Sequence, residues 1–281
     1  MKLTSPMRYP GGKSRLVDKI ISRIENKFYG RSRFVEPFVG GGSVFLRFCQ
    51  KHPLVRFSIN DADKGIASFW KVVFSEQNEW KALLEKVKNT VPTVDEHSRQ
   101  RELVGSDDVV EAGYATLFLN RCSFSGILTS GPIGGYQQQS KYTVGCRYNT
   151  TRLCCQIENI RETLKERCDG VSCQDFQPFI KNHDSEQSVL YCDPPYFVKG
   201  KTLYPEKMEQ SDHVRLMICL SQTRMANWIL SYDNADEVRE MYKWATIDAI
   251  ETKYSIQGAE RDSWNKKTEL VITTQREPSN V

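Results

Sequence analysis

Apolar residues recur three and four apart in Leu16-Val17, Ile20-Ile21, Ile24 and Phe28, which places them on one face of an amphipathic helix. Arg33-Phe34-Val35-Glu36 then reads as a short buried strand running into the turn Gly40-Gly41-Gly42, with a helix from Ser43 to about Lys51. A second strand, Val55 to Ile59, ends at Asn60-Asp61. Strand, glycine turn, helix, strand and acid, in that order, make the first half of a dinucleotide-type α/β unit.

Residues 63 to about 167 read as mainly helical, with apolar periodicity over Ile66 to Phe74, Val109 to Leu119 and Leu153 to Leu164. The glycine-rich stretch Ser125 to Gly145 interrupts them as a loop or irregular hairpin. Strand patterns return at Gly170 to Cys173, Ser188 to Cys192, Trp228 to Ser231, Ala245 to Ala249 and Glu269 to Thr274, with a helix from Asp212 to Thr223. Alternating strands and helices predict an α/β fold with a mostly parallel sheet covered on both faces, its last two strands pairing antiparallel at an edge. The expected organisation is a core made of residues 1–62 and 170–281, interrupted by a mainly helical insertion at 63–169.

Hydrophobic residues are 39% and charged residues 26% of the 281, with no low-complexity tract, so an ordinary folded protein is expected. No apolar run is long enough to span a bilayer, and Met1-Lys2-Leu3-Thr4-Ser5-Pro6 lacks the apolar stretch of a signal peptide, so the expectation is a soluble cytoplasmic protein with no membrane partner. Nine cysteines without repeated spacing read as reduced packing thiols, and Cys154-Cys155, Cys168 and Cys173 lack the paired spacing of a metal site. No metal is expected. The net charge of +4 does not diagnose a nucleic-acid partner, but its distribution is uneven. Residues 1 to 33 carry nine Lys/Arg against two acids, and Asn120 to Arg152 carries four basic residues and no acid.

Two motifs carry chemistry. In Glu36-Pro37-Phe38-Val39-Gly40-Gly41-Gly42, glycine lets the backbone approach a ligand closely, and the acid Asp61 at the end of the next strand is placed for ribose hydroxyls. The third glycine of the dinucleotide fingerprint is missing, which suits a nucleoside cofactor without a pyrophosphate. The second motif is Tyr191-Cys192-Asp193-Pro194-Pro195-Tyr196, at the carboxyl end of an apolar strand where ligands of open α/β sheets gather. Its two prolines fix the backbone, so the Pro194 carbonyl is offered rigidly beside the charged acceptor Asp193, and Tyr196 can stack on a base. A weakly nucleophilic amine such as adenine N6 needs such a pair of acceptors to favour its tetrahedral form.

The chain resembles the Dam-type, D12-class N6-adenine DNA methyltransferases with the motif order of the α group. The segments that carry the likeness are Arg8-Tyr9-Pro10-Gly11-Gly12-Lys13, Phe34-Val35-Glu36-Pro37-Phe38-Val39-Gly40-Gly41-Gly42-Ser43, Asn60-Asp61, Asn120-Arg121, Asp193-Pro194-Pro195-Tyr196, Leu230-Ser231-Tyr232-Asp233 and Glu269-Leu270-Val271-Ile272-Thr273. The resemblance implies a Rossmann-like class I core that uses S-adenosyl-L-methionine. It implies that Tyr9, Lys13, Glu36, Phe38, Gly40, Gly42 and Asp61 form the cofactor pocket, with Asp175 and Phe176 near the cofactor's adenine. Asp193 would lie between cofactor and substrate, and Asp193, Pro194, Pro195 and Tyr196 would form the catalytic turn.

The insertion would then read double-stranded DNA. Asn120, Arg121, Ser123, Phe124, Lys141 and Arg147 are its candidate contacts, interleaved with Tyr136, Tyr142, Tyr148 and Gln137-Gln138-Gln139. Cations position phosphates, Gln and Arg read base edges, and an aromatic can fill the gap left by a flipped base. Gly131-Pro132-Ile133-Gly134-Gly135 matches no GATC-reading hairpin, which leaves the target sequence open. An N4-cytosine methyltransferase and a catalytically silent DNA-binding protein are the rival readings. Against them stand Asp193, where the cytosine class usually carries Ser, and an intact glycine turn. Also open are a bacterial or phage host, a cognate restriction endonuclease, a monomer or weak dimer, and activity on single-stranded DNA or RNA.

Overall fold

The computed structural model describes residues 2–8, 13, 16–197, 208–224, 226–254 and 265–274. Seven strands form one sheet: β1 Arg33–Glu36, β2 Arg56–Asn60, β3 Cys168–Ser172, β4 Ser188–Cys192, β5 Asn227–Asp233, β6 Thr246–Tyr254 and β7 Asn265–Thr273. Their order is β3-β2-β1-β4-β5-β7-β6. The first five are parallel, with Phe34 beside Phe57 on one flank and Val189 on the other. The chain leaves β1 for β2 on one side and later returns to β4 on the other, so the sheet switches direction between β1 and β4. The last two strands do pair antiparallel, but β7 inserts between β5 and β6, and the earlier strand takes the edge.

Period-two alternation divides each central strand between two cores. Phe34, Val189, Tyr191, Ile229 and Val271 face a core covered by helices α1 Val17–Phe28, α2 Ser43–Lys51 and α3 Lys64–Phe74. Val35, Leu190, Cys192, Leu230 and Ile272 face the other, covered by α8 Phe176–Asn182, α9 Gln210–Gln222 and α10 Asp236–Met241. The helices α4 Glu79–Asn89, α5 Val94–Leu103, α6 Val109–Cys122 and α7 Thr150–Leu164 follow between β2 and β3, within the stretch expected as an insertion.

The first core runs without a break from the sheet into this insertion, through Phe45, Phe57, Trp70, Tyr114, Phe118 and Ile157. Helix α3 therefore packs as part of the sheet layer as much as of the insertion, and Trp70 meets Phe45 edge to face at 5.0 Å. The stretch expected as a loop or hairpin holds turns, short 3-10 segments at Phe124–Gly126 and Val144–Arg147, and a single antiparallel bridge between Ser123 and Pro132.

Candidate active site

The glycine turn after β1 and the Asp-Pro-Pro-Tyr turn after β4 emerge on either side of the switch in strand direction, where open α/β sheets form their binding crevice. Gly40 and Gly42 adopt φ of 45° and 70°, and a Cβ on Gly42 would lie 2.7 Å from the Trp70 ring. The turn is held from three directions. Trp70 Nε1 donates to the Gly40 carbonyl at 2.9 Å, the Val39 amide donates to the Asn60 carbonyl at 2.9 Å, and Asp61 accepts from the Gly40 amide at 2.8 Å. Asp61 also accepts from the Asp63 amide at 3.0 Å, which fixes its carboxylate beside the turn.

Asn60 ties three strand ends together. Its amide donates to the Pro37 and Gln174 carbonyls, both at 3.0 Å, while its oxygen accepts from the Ser172 hydroxyl and the Gln174 amide. Glu36, buried at the end of β1, accepts from the Phe45 amide at 3.1 Å in the first turn of α2, where the helix dipole favours an acid. Burial, and then the neighbouring Asp193 and Asp61 carboxylates, push its carboxyl well above the usual range.

The Asp-Pro-Pro-Tyr turn carries a buried charge cluster. Lys13 is only 3% exposed, so it is no surface lysine at a helix start. Its ammonium pairs with Asp193 Oδ1, lies 3.2 Å from the Tyr196 hydroxyl and 3.6 Å from Glu269 Oε2, and sits 4.8 Å from the Tyr196 ring centroid. The Tyr196 hydroxyl donates to Glu269 Oε1 at 2.9 Å. Asp193 keeps one fifth of its side chain exposed, while Pro194 and Tyr196 are buried and Pro195 is half-buried. Among the described residues no hydrogen bond ends on the Pro194 carbonyl. Asp233 at the end of β5 accepts from the Phe197 amide at 2.9 Å, anchoring the far side of the turn. Cys192 is buried and its thiol is pushed well above the ordinary range by burial, which keeps it a neutral packing group.

Phe38 and Phe176 face each other at 5.4 Å, and the Arg215 guanidinium lies 5.1 Å over the Phe176 ring. Asp175 caps α8 through the Gln177 amide and pairs with Arg215 at 2.9 Å. Its carboxylate is thereby engaged in positioning Phe176.

The structure separates the candidate DNA contacts into two groups. Asn120 and Ser123 are fully buried. Asn120 accepts from the Arg8 amide at 2.6 Å and donates to the Arg8 and Gly126 carbonyls at 3.2 and 3.1 Å, and Ser123 bonds His97 at 2.9 Å. These two are joints, not surface contacts. Arg121 is mostly internal too, donating to the Arg147 carbonyl at 2.8 Å and the Pro6 carbonyl at 3.4 Å. Burial, with Arg8, Arg152 and Arg147 nearby, lowers its pKa to about 10. Phe124, by contrast, is 66% exposed, and Lys141, Arg147, Tyr136 and Tyr142 share the exposed group. Tyr142 lies 5.9 Å from both the Lys141 ammonium and the Arg147 guanidinium. Gln137 and Gln139 are exposed, but Gln138 is spent inside the loop on the Ile133 and Gly135 carbonyls and the Val144 amide.

Comparison with known proteins places the chain. Residues 9–256 match the model of the family described as D12 class N6 adenine-specific DNA methyltransferase. The chain belongs to this family. The DNA N-6-adenine-methyltransferase of Escherichia phage P1 is 27% identical over 250 residues, covering 85% of this chain but 31% of that protein, so the chain spans about a third of its length. The DNA adenine methylase of Vibrio cholerae is 24% identical over 284 residues, covering 94% of both. The type II methyltransferase M.MjaIII of Methanocaldococcus jannaschii is 24% identical over 216 residues, covering 72% of both.

Within this D12-class chain Lys13 meets Asp193, both with Asp61 act on the buried Glu36, Gly40 bonds Asp61 and Phe38 meets Phe176, while Tyr9 lies outside the described residues. Sequence reasoning missed Glu269, Asn60 as a joint, and Trp70. Glu269 was part of a matching segment, but no local pattern pairs it with Lys13 at the opposite end of the chain. Five cysteines are buried, whereas Cys146, Cys155 and Cys173 are exposed and not packing residues, and all nine are free thiols.

Proposed function

We propose that the chain methylates N6 of an adenine flipped out of double-stranded DNA, using S-adenosyl-L-methionine. The observation that carries this is the Asp193–Pro194 acceptor pair at the end of β4, directly across the switch point from the glycine turn. The residues present fit the cofactor. The positive-φ turn at Gly40 and Gly42 would admit its close backbone approach, Asp61 would hold its ribose hydroxyls, and Phe38 and Phe176 would offer aromatic contacts to its adenine. Bound there, S-adenosylmethionine supplies an electrophilic methyl group on a positive sulfonium.

The chain's own residues position and polarise. Asp193 and the Pro194 carbonyl accept the two N6 hydrogens, so the nitrogen lone pair is drawn out of the ring and aimed at the cofactor side. Tyr196, buried and tied by its hydroxyl to Lys13 and Glu269, would stack on the base once the incoming base uncovers its ring, and unstacking the base costs a few kcal/mol. Cys192 is buried under the turn and kept neutral by burial, so it offers no nucleophile for a covalent intermediate, which supports a direct transfer to the amine.

Residues 63–169 serve as the target-recognition insertion. Phe124, on a turn with positive φ at Ser125 and Gly126, is the candidate wedge for the vacated base position. Lys141 and Arg147 bind phosphate, and Gln137 and Gln139 face base edges. Arg121, Asn120 and Ser123 contribute by holding this surface in place.

The test is incubation of the protein with unmethylated genomic DNA and S-adenosylmethionine, followed by nucleoside mass spectrometry and modification-sensitive sequencing. N6-methyladenine in one short context supports the reading and supplies the target site. N4-methylcytosine, or no methylated base, refutes it.

A further inference from the structure

We infer that Glu269, on β7, is a positioning residue that keeps Asp193 available as an acceptor by sharing Lys13 with it and that sets the Tyr196 ring through its hydroxyl. The inference rests on the proposed adenine methylation. It starts from charge. One buried ammonium, Lys13, lies between two carboxylates, Asp193 and Glu269, with Tyr196 bridging Lys13 to Glu269 at 3.2 and 2.9 Å. Lys13 and Glu269 are 3% and 2% exposed, so water does little to screen them.

If Lys13 had Asp193 as its sole carboxylate, the pair would be neutral, and the ammonium would compete with the substrate amine for the acceptor's lone pairs. The second carboxylate draws part of the ammonium's interaction away from Asp193. Asp193 thus keeps acceptor capacity for the amine. The same carboxylate fixes the phenol of Tyr196, three residues beyond Asp193, which orients the ring face without a contact from the base.

The arrangement also explains why Glu269 lies on the inserted antiparallel strand. Glu269 pairs in register with Asp233 of β5, whose carboxylate holds the Phe197 amide on the other side of the turn. The two acids grip the turn from adjacent strands.

The test measures single-turnover methylation, with enzyme and S-adenosylmethionine saturating, of a duplex bearing the site mapped by sequencing. Glu269→Gln keeps an acceptor for the Tyr196 hydroxyl and leaves Lys13 paired with Asp193, so no buried charge is stranded. It should slow the step by about tenfold or more, in the range expected for lost electrostatic preorganisation. Tyr196→Phe keeps the ring and removes the bridge, and should slow it by about threefold or more, with the double variant no slower than Glu269→Gln alone because the two act through one network. A duplex with 2-aminopurine at the target position should show altered emission in both variants, since the ring that stacks on the base is displaced. A Glu269→Gln rate within about twofold of the parent, or effects that multiply in the double variant, overturns the inference. Should Glu269→Gln fail to fold, Tyr196→Phe decides it alone, an unchanged rate and emission counting against it. If the parent protein methylates nothing, the proposed function fails instead, which the parent's own assay reports separately.

Discussion

Asn120→Leu separates a residue that touches DNA from one that holds the enzyme together. Leucine is close in volume but cannot bond, so the substitution strips partners from the Arg8 amide, the Arg8 carbonyl and the Gly126 carbonyl. A buried polar group left unsatisfied costs about 1–3 kcal/mol. Gly126 is buried and bears that cost in full, whereas Arg8 is half exposed and its two groups recover some hydration. The sum is about 2–5 kcal/mol, a large part of the ~5–15 kcal/mol of an ordinary folded protein. With a urea slope of about 3 kcal/mol per molar, the unfolding midpoint should fall by roughly 1 M or more. Urea denaturation followed by tryptophan fluorescence, without cofactor or DNA, measures this directly. A midpoint unchanged from the parent together with lost DNA affinity would refute the reasoning, because it would put Asn120 on the DNA surface after all.

Glu36→Gln should stabilise the protein at neutral pH and not under acid conditions. The folded carboxyl holds its proton more tightly than the unfolded one, so parental stability falls as pH rises from the ordinary carboxylate range toward the raised folded value; Gln still accepts from the Phe45 amide and has no such slope. Urea midpoints across a pH series check it, and parallel curves for variant and parent would contradict it. Asp193→Ala should abolish methylation while leaving the fold intact, since Glu269 remains beside Lys13; substantial turnover measured by nucleoside mass spectrometry would remove Asp193 from its role. Phe124→Ala should change stability by less than about 0.5 kcal/mol, the side chain being two-thirds exposed. It should weaken binding to the target duplex by about tenfold, in line with base–aromatic stacking, and equal affinity by fluorescence anisotropy would place the wedge elsewhere.

The strands were legible because each central one is buried on both faces and reads as an apolar run, as in Ser188 to Cys192, and the two chemical turns because Gly and Pro dictate backbone shape locally. The direction of residues on α6 was not. That helix is buried almost throughout its 14 residues, so it has no polar stripe to show which side is exposed, and Asn120 looks the same as a surface asparagine. Helix α5 failed for the opposite reason, its residues being polar nearly all round. Helices α8 and α10 span seven and six residues, too short to establish a period. The Lys13–Glu269 pair depends on β7 being inserted beside β5, which is a fact of topology and leaves no trace in local composition.

Topology also explains how one site can be assembled from such distant segments. Asn120 fixes the peptide of Arg8, five residues before Lys13, and the same side-chain amide fixes Gly126 in the turn that projects Phe124. A Cβ at Gly126 would come within 2.3 Å of the Arg8 carbonyl, so the turn and the N-terminal segment are in direct apposition and neither can shift alone. Base eversion needs a wedge in the duplex and an acceptor pocket for the base at the same moment. Under the proposed function, tying the Arg8 peptide and the Phe124 turn to one buried amide would fix the wedge turn against the N-terminal segment, a role that needs the asparagine in the interior.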